Sequence, residues 1–293
     1  MPKHALLSAS SSDRWIHCPP SARLSETYED KGSDYAAEGT DAHSLCEFKL
    51  KMALGMEADD PTEHLSWFNQ EMDDNATGYA AYVLEQVEAA KETCSDPIVM
   101  IEQRVDFSRW VEEGFGTADC IIIAGGTLQI IDYKNGLGVL VSAEENPQMM
   151  CYALGALELF DDIYDIDAVR MTIYQPRRDN LSTYDLSKED LYRWADEVLK
   201  PAADLAFAGD GNFLCGEWSG FCKAKNRSIT TPNTSRAGTI GSLFRYIPTK
   251  ASPEPAPSGA RASGQWSLMR WTARSTSSSR SQSADLPVTR STA

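Results

Sequence analysis

Residues 116–134, GTADCIIIAGGTLQIIDYK, decide how the chain folds. The apolar run from Ala118 to Ala124 predicts a strand, Gly125-Gly126 a tight turn, and Thr127 to Tyr133 the returning strand. In an antiparallel pair an early position of the first strand meets a late position of the second. Asp119 and Asp132, with twelve residues between them, therefore come side by side at one end of the hairpin. Side chains alternate along a strand, so Asp132 and Lys134 share a face and Tyr133 points away. Two adjacent carboxylates repel each other unless a cation lies between them, and oxygen donors suit Mg2+ or Mn2+. A D-x-K tripeptide alone is close to noise. The set spaced around a turn makes a candidate acidic metal site.

Working outward, Ile98 to Ile101 reads as a short strand, with Val105 to Trp110 a candidate extension and Glu112-Glu113-Gly114 a turn. Downstream, Asn135-Gly136-Leu137-Gly138 is a loop. Pro147 sits in the first turn of a helix running to about Phe160. Ala168 to Tyr174 is a further strand, and Ser187 caps a helix to about Ala208, with Asp190 as its capping-box acid. Upstream, residues 36–55 predict a helix with an apolar stripe through Leu45, Phe48 and Leu54. Residues 63–93 predict a long helix, or two, broken at the polar stretch Gln70 to Thr77. Strands and helices in this order predict an α/β domain: a mixed central sheet flanked by helices.

Of the 293 residues, 42% are hydrophobic and 24% charged, as in ordinary globular chains. No run approaches the ~18 apolar residues of a membrane span, and the N-terminus lacks the apolar core of a secretory signal. The expected compartment is the cytoplasm, with no membrane partner. Seven cysteines, odd in number and irregular in spacing, do not make a disulfide scaffold. Cys120 and Cys151, in apolar stretches, are expected to be core thiols.

The net charge of −16 is unevenly distributed. From residue 223 onward there are eleven Lys/Arg and two Asp/Glu, so residues 1–222 carry −25. So acidic a body repels nucleic acid at long range, and any DNA contact must use a local basic groove or metal ions. Residues 226–293 are rich in Ser, Arg and Pro without sustained periodicity, which predicts a disordered basic tail after a folded domain over 1–225. Either a reading-frame change in the gene or a natural nucleic-acid-binding tail accounts for such a switch.

Other residues gain meaning from their neighbours. Gln148 and Tyr152, at i and i+4, share a helix face close behind Lys134. Read singly, they are a surface amide and a core aromatic. His43 is a metal-ligand type on a half-apolar helix, although a lone histidine there is more often structural. Arg177-Arg178, in Tyr174-Gln175-Pro176-Arg177-Arg178, could clamp a phosphate or form a solvated loop. Glu102, beside Arg104, reads as a supporting acid or, more simply, as half of a surface ion pair.

These motifs together resemble the PD-(D/E)XK nuclease superfamily: G-x-x-D at Gly116 to Asp119, then D-Y-K at Asp132 to Lys134. Gln148-Met149-Met150-Cys151-Tyr152 is similar to the Q-x-x-x-Y motif of its RecB-like branch, and Glu38-Gly39-Thr40-Asp41-Ala42-His43 to that branch's N-terminal helix motif. The likeness is nearest to phage and prophage proteins of the DUF2800 group and to Cas4 nucleases, over roughly residues 5–225. It implies a restriction-endonuclease-like core and a Mg2+- or Mn2+-dependent DNA exonuclease, or DNA-end-processing enzyme, of phage replication or recombination. It implies His43, Asp119, Asp132 and the Tyr133 carbonyl as metal ligands and Lys134 as catalytic lysine. Gln148, Tyr152, Arg177 and Arg178 would meet the DNA.

Relatives of this kind hold a [4Fe-4S] cluster through four cysteines. Cys18 and Cys222 stand where two ligands would fall and Cys215 is a third candidate. Ser219 replaces the cysteine expected before Cys222, and no cysteine follows. The ligand set is therefore short. Two other expectations compete with the enzyme: a catalytically inactive module that binds single-stranded DNA or a recombination partner, such as a single-stranded-DNA-binding protein, and a purely structural acidic domain.

Overall fold

A computed structural model describes residues 5–28 and 32–224. The expected tail, 226–293, lies outside the described residues. Two short helices, α1 (Ser12–His17) and α2 (Ser21–Glu26), precede the long helices α3 (Asp34–Ala53) and α4 (Gln70–Lys91). Strands β1 (Ile98–Asp106), β2 (Phe115–Ala124) and β3 (Thr127–Tyr133) follow. Helix α5 (Pro147–Tyr164) crosses over to β4 (Ala168–Gln175), which turns into β5 (Asn180–Ser187). Helices α6 (Lys188–Trp194) and α7 (Lys200–Ala208) close the domain. Among the described residues no helix is long and apolar enough to cross a membrane.

The five strands lie in sequence order. Only β3 and β4 run parallel; the other neighbours are antiparallel, so the expected mixed sheet flanked by helices is present. Parallel neighbours need a long crossover, which α5 supplies. The sheet separates two cores. On one side Leu128, Ile130 and Met171 pack with Met149, Leu154 and Leu157 of α5 and with Trp15 of α1. On the other, Ile122, Ile131 and Tyr133 pack with Leu45 and Leu50 of α3 and with Tyr79 and Val83 of α4. Cys120 and Cys151 are both fully buried, and burial pushes both thiols up.

Local chemistry corrects several expected boundaries. The polar stretch Gln70 to Thr77 does not break a helix; it begins one. Asn69 accepts from Met72 N at 2.9 Å as N-cap, while Met72 and Ala76 turn inward and the polar side chains stay out. Strand β1 stops at Asp106, short of the candidate extension to Trp110. Strand β5 was not expected, because its alternation is of intermediate and exposed residues at a sheet edge. Ser187 caps α6 as expected, accepting from Asp190 N at 3.1 Å. The single helix expected to Ala208 carries a wide π turn at Ala195–Leu199. Pro201 lacks an N–H and would crowd the carbonyl four residues back, and the wide turn relieves both.

Candidate metal and carboxylate site

The β2–β3 ladder pairs Cys120 with Ile131, so its next step sets Asp119 opposite Asp132. On the other edge of β2 the ladder pairs Ile101 with Cys120 and then Gln103 with Ala118, which sets Glu102 opposite Asp119. Both strands change facing here. Ile98 and Met100 pack on the α5 side before Glu102, and Val105 packs there after it. In β2, Ala118 and then Ile121 and Ile123 lie on that side. Strict alternation cannot give these sets. Glu102 has a φ of 51°, and β1 reverses at this left-handed residue, while β2 reverses opposite it at Asp119. For a residue with a Cβ the left-handed conformation costs about 1–2 kcal/mol.

The reversal brings groups from both layers to Asp119. From α3, His43 Nδ1 lies 3.3 Å from Asp119 Oδ2. The Tyr133 N–H donates to the same oxygen at 2.7 Å, and the Tyr133 ring packs edge-on to His43 on the α3 side. One ligand atom each of His43, Glu102 and Asp119 falls within 4.8 Å of the others. On the α5 side Lys134 Nζ lies 2.8 Å from Asp132 Oδ2 and donates to Gln148 Oε1 at 2.9 Å. Gln148 Nε2 faces Tyr152 Oη at 3.0 Å and Asp132 Oδ1 at 3.3 Å. Asn146 caps α5 through Gln148 N and Met149 N, which aims the first turn, and Gln148 with it, at the strand ends.

Gly116 explains itself by close approach. A Cβ there would come within 2.6 Å of the Tyr152 ring, so the glycine of the G-x-x-D motif makes room for the tyrosine of Q-x-x-x-Y.

The electrostatics follow from burial and crowding. Burial would lower His43, but the charge and hydrogen bond of Asp119, with Asp132 behind, carry it up to about 9. Burial, then repulsion from Asp119, pushes Glu102 up to about 7. Burial acts to raise Asp119, but His43 and the Tyr133 N–H hold it below the usual carboxylate range. Asp132 is raised by burial despite Lys134. Its buried Oδ2 receives no well-angled hydrogen bond and is met by the ammonium alone.

Two oxygen donors and one imidazole, crowded within 4.8 Å so that protons must offset their repulsion, fit a hard divalent ion that takes the place of those protons. Bonds of about 2.0–2.1 Å span at most ~4.2 Å across an octahedral Mg2+, so small side-chain movements would close the set.

Glu102 is the residue that sequence reasoning undervalued. Read as half of a surface ion pair, it belongs instead to the group around Asp119. Arg177 is tied down: its Nη1 lies 2.8 Å from Glu38 of α3 and its Nε 3.2 Å from Glu71 of α4. Arg178 is exposed and donates to Leu137 O at 3.1 Å. Cys18 is buried and accepts from Leu214 N at 3.4 Å, which brings the segment bearing Cys215 and Cys222 against α1. Among the described residues these three thiols form no group that could share an ion. The three thiols are one fewer than the four that a [4Fe-4S] cluster takes.

Comparison with known proteins adds two findings. A solved structure, "Crystal structure of SSO0001", aligns over 65% of this chain and 96% of its own, at 12% identity and a TM-score of 0.25, too loosely to bear on fold or function. The family model described as "Protein of unknown function (DUF2800)" matches residues 4–238, four-fifths of the sequence, and the chain belongs to that family.

Proposed function

We propose that the protein is a divalent-metal-dependent deoxyribonuclease with a PD-(D/E)XK core of the RecB/Cas4-like branch, processing DNA ends in phage or prophage replication or recombination. The observation that carries the reading is Lys134 Nζ at 2.8 Å from Asp132, with Asp119 on the neighbouring position of β2 and His43 and Glu102 gathered around it. His43, Asp119 and Asp132, with the Tyr133 carbonyl, are the ligands the motif likeness assigns, and Glu102 joins them on proximity. Bound Mg2+ or Mn2+ would polarise a phosphoryl oxygen and make a coordinated water acidic.

The chain's own groups do the rest. Gln148 Oε1 holds the Lys134 ammonium beside Asp132, where it can orient an attacking water and offset charge on the phosphate. Tyr152, buried, holds the Gln148 amide in turn. Asp119, kept ionised by His43 and the Tyr133 N–H, presents a carboxylate rather than an acid to a cation.

The test is degradation of labelled linear DNA with Mg2+ or Mn2+ by the parent, Asp119→Ala and Lys134→Ala. The parent should cut, and each variant should lose about 100-fold or more, the scale of one electrostatic contributor. Equal activity in all three would remove these residues from the mechanism. Binding without cleavage under either metal would select the inactive DNA-binding module.

A further inference from the structure

On the His43 side of the site several elements are tied together by one side chain. After β4 the chain makes the turn Pro176–Arg178, and Arg177 in that turn is only 18% exposed. Its Nη1 donates to Glu38 Oε1 of α3 at 2.8 Å and to Asn135 O at 3.4 Å. Its Nε donates to Glu71 Oε1 of α4 at 3.2 Å. The loop after Lys134 and both long helices on this face of the sheet therefore end on one guanidinium. Its rigid planar fork can serve such divergent acceptors; a lysine ammonium lacks the fork.

Apolar packing does not do this work, because it reaches α3 too late. Residues 34–37 are exposed, and the first buried residue of the helix is Ala42, next to His43. Only from there do Leu45, Cys46 and Leu50 join the core that holds Tyr79 and Val83. The turns before His43 are held by polar contacts: Glu38 to Arg177, and Asp41 Oδ2 accepting from Trp67 N at 2.8 Å. Lys134 is tied to the same stretch of chain. Its N–H donates to Tyr174 O at 2.9 Å, and Gln175 Nε2 donates to Gly136 O at 2.6 Å and Val139 O at 2.8 Å. Residues 174–177 thus fix the Lys134 strand end with one set of bonds and the His43 helix with another.

We infer that Arg177 is a positioning residue of the divalent-ion site. Through Glu38 and Asn135 it sets the helix that carries His43 against the strand end that carries Asp132 and Lys134. The inference rests on the metal-site part of the proposed function and is indifferent to the substrate. It gives Arg177 an internal role in place of a phosphate contact, since its donors already meet two carboxylates and a carbonyl.

The sign of the effect separates positioning from plain electrostatics. Glu38 and Arg177 carry opposite charges. Through space, neutralising Glu38 would weaken the binding of a cation, and neutralising Arg177 would strengthen it. A shared positioning role makes both changes weaken it. The test is Mn2+ titration calorimetry of the full-length protein, at a temperature where thermal unfolding shows every variant folded. The parent is set against Glu38→Gln, Arg177→Gln, the double variant and Arg177→Lys. The control is Arg170→Gln, which breaks an exposed pair with Asp185 earlier in β4. Each single glutamine variant at Glu38 or Arg177 should bind Mn2+ about tenfold more weakly, the lower end of the roughly 10–100-fold that outer partners of metal ligands command. The double variant should lose no more than either, because the two groups act as a unit. Arg177→Lys, which keeps the charge without the fork, should recover part of the loss, and Arg170→Gln should match the parent. Arg177→Gln binding as tightly as the parent or tighter, or losses that add in the double variant, would overturn the inference.

A second readout needs no metal. The imidazole NMR signal of His43, assigned by its absence from His43→Gln, should move in the same direction in Glu38→Gln and Arg177→Gln. If the parent takes up no Mn2+ while this signal behaves so, the metal-site reading fails alone and Arg177 still positions His43. Movement in opposite directions, or none, overturns the positioning role.

Discussion

At the scale of single residues, the site's behaviour is set by crowding. His43 and Glu102 stand above their ordinary values of 6.5 and 4.5, at about 9 and about 7. A group raised in the folded state lends stability that is complete below its unfolded value and is lost as pH climbs through the folded one. For Glu102 that window is pH 4.5 to 7, and for His43 it is 6.5 to 9. A divalent ion competes with these protons, so metal binding should strengthen as pH rises. The increase in Tm caused by Mn2+ should therefore grow from about pH 6 to about pH 9; an increment independent of pH would mean that the ion binds elsewhere. Asp119, Asp132 and Lys134 were legible as neighbours because register follows from the Gly125-Gly126 turn. Glu102 was not, because β1 reverses its facing at this residue, whose φ is 51°, and no alternation pattern records such a break.

At the scale of elements, helix ends aim the site. Asn146 accepts from both Gln148 N and Met149 N and so fixes the first turn of α5. Asn146→Ala should cost about 1 kcal/mol in urea unfolding and should lower cleavage by more than that stability loss explains, because Gln148 holds Lys134. An activity loss that vanishes under fully folded conditions would show the cap to be structural only. The start of α5 could be read from Asn146-Pro147, whose chemistry is local. The start of α4 was misread, because polar residues in the first turns resemble a loop until Asn69 is seen to cap them. Strand β5 escaped for a different reason. An edge strand alternates between half-buried and exposed residues, so its sequence carries little apolar signal.

At the scale of the whole molecule, the site exists because three layers meet. His43 comes from the helices on one face, the acids from the sheet, and Gln148 and Tyr152 from α5 on the other face. The mixed sheet and its flanking helices were legible from the order of the periodic segments. The convergence of both faces on Asp119 was not, since it depends on the reversal opposite Glu102. The claim that these layers assemble one divalent-ion site is open to direct measurement by Mn2+ titration calorimetry of the parent, Asp119→Ala and Lys134→Ala. A saturable Mn2+ site that Asp119→Ala abolishes and Lys134→Ala retains is the expected result. Identical titrations for the parent and Asp119→Ala, or no heat from the parent, would contradict the account.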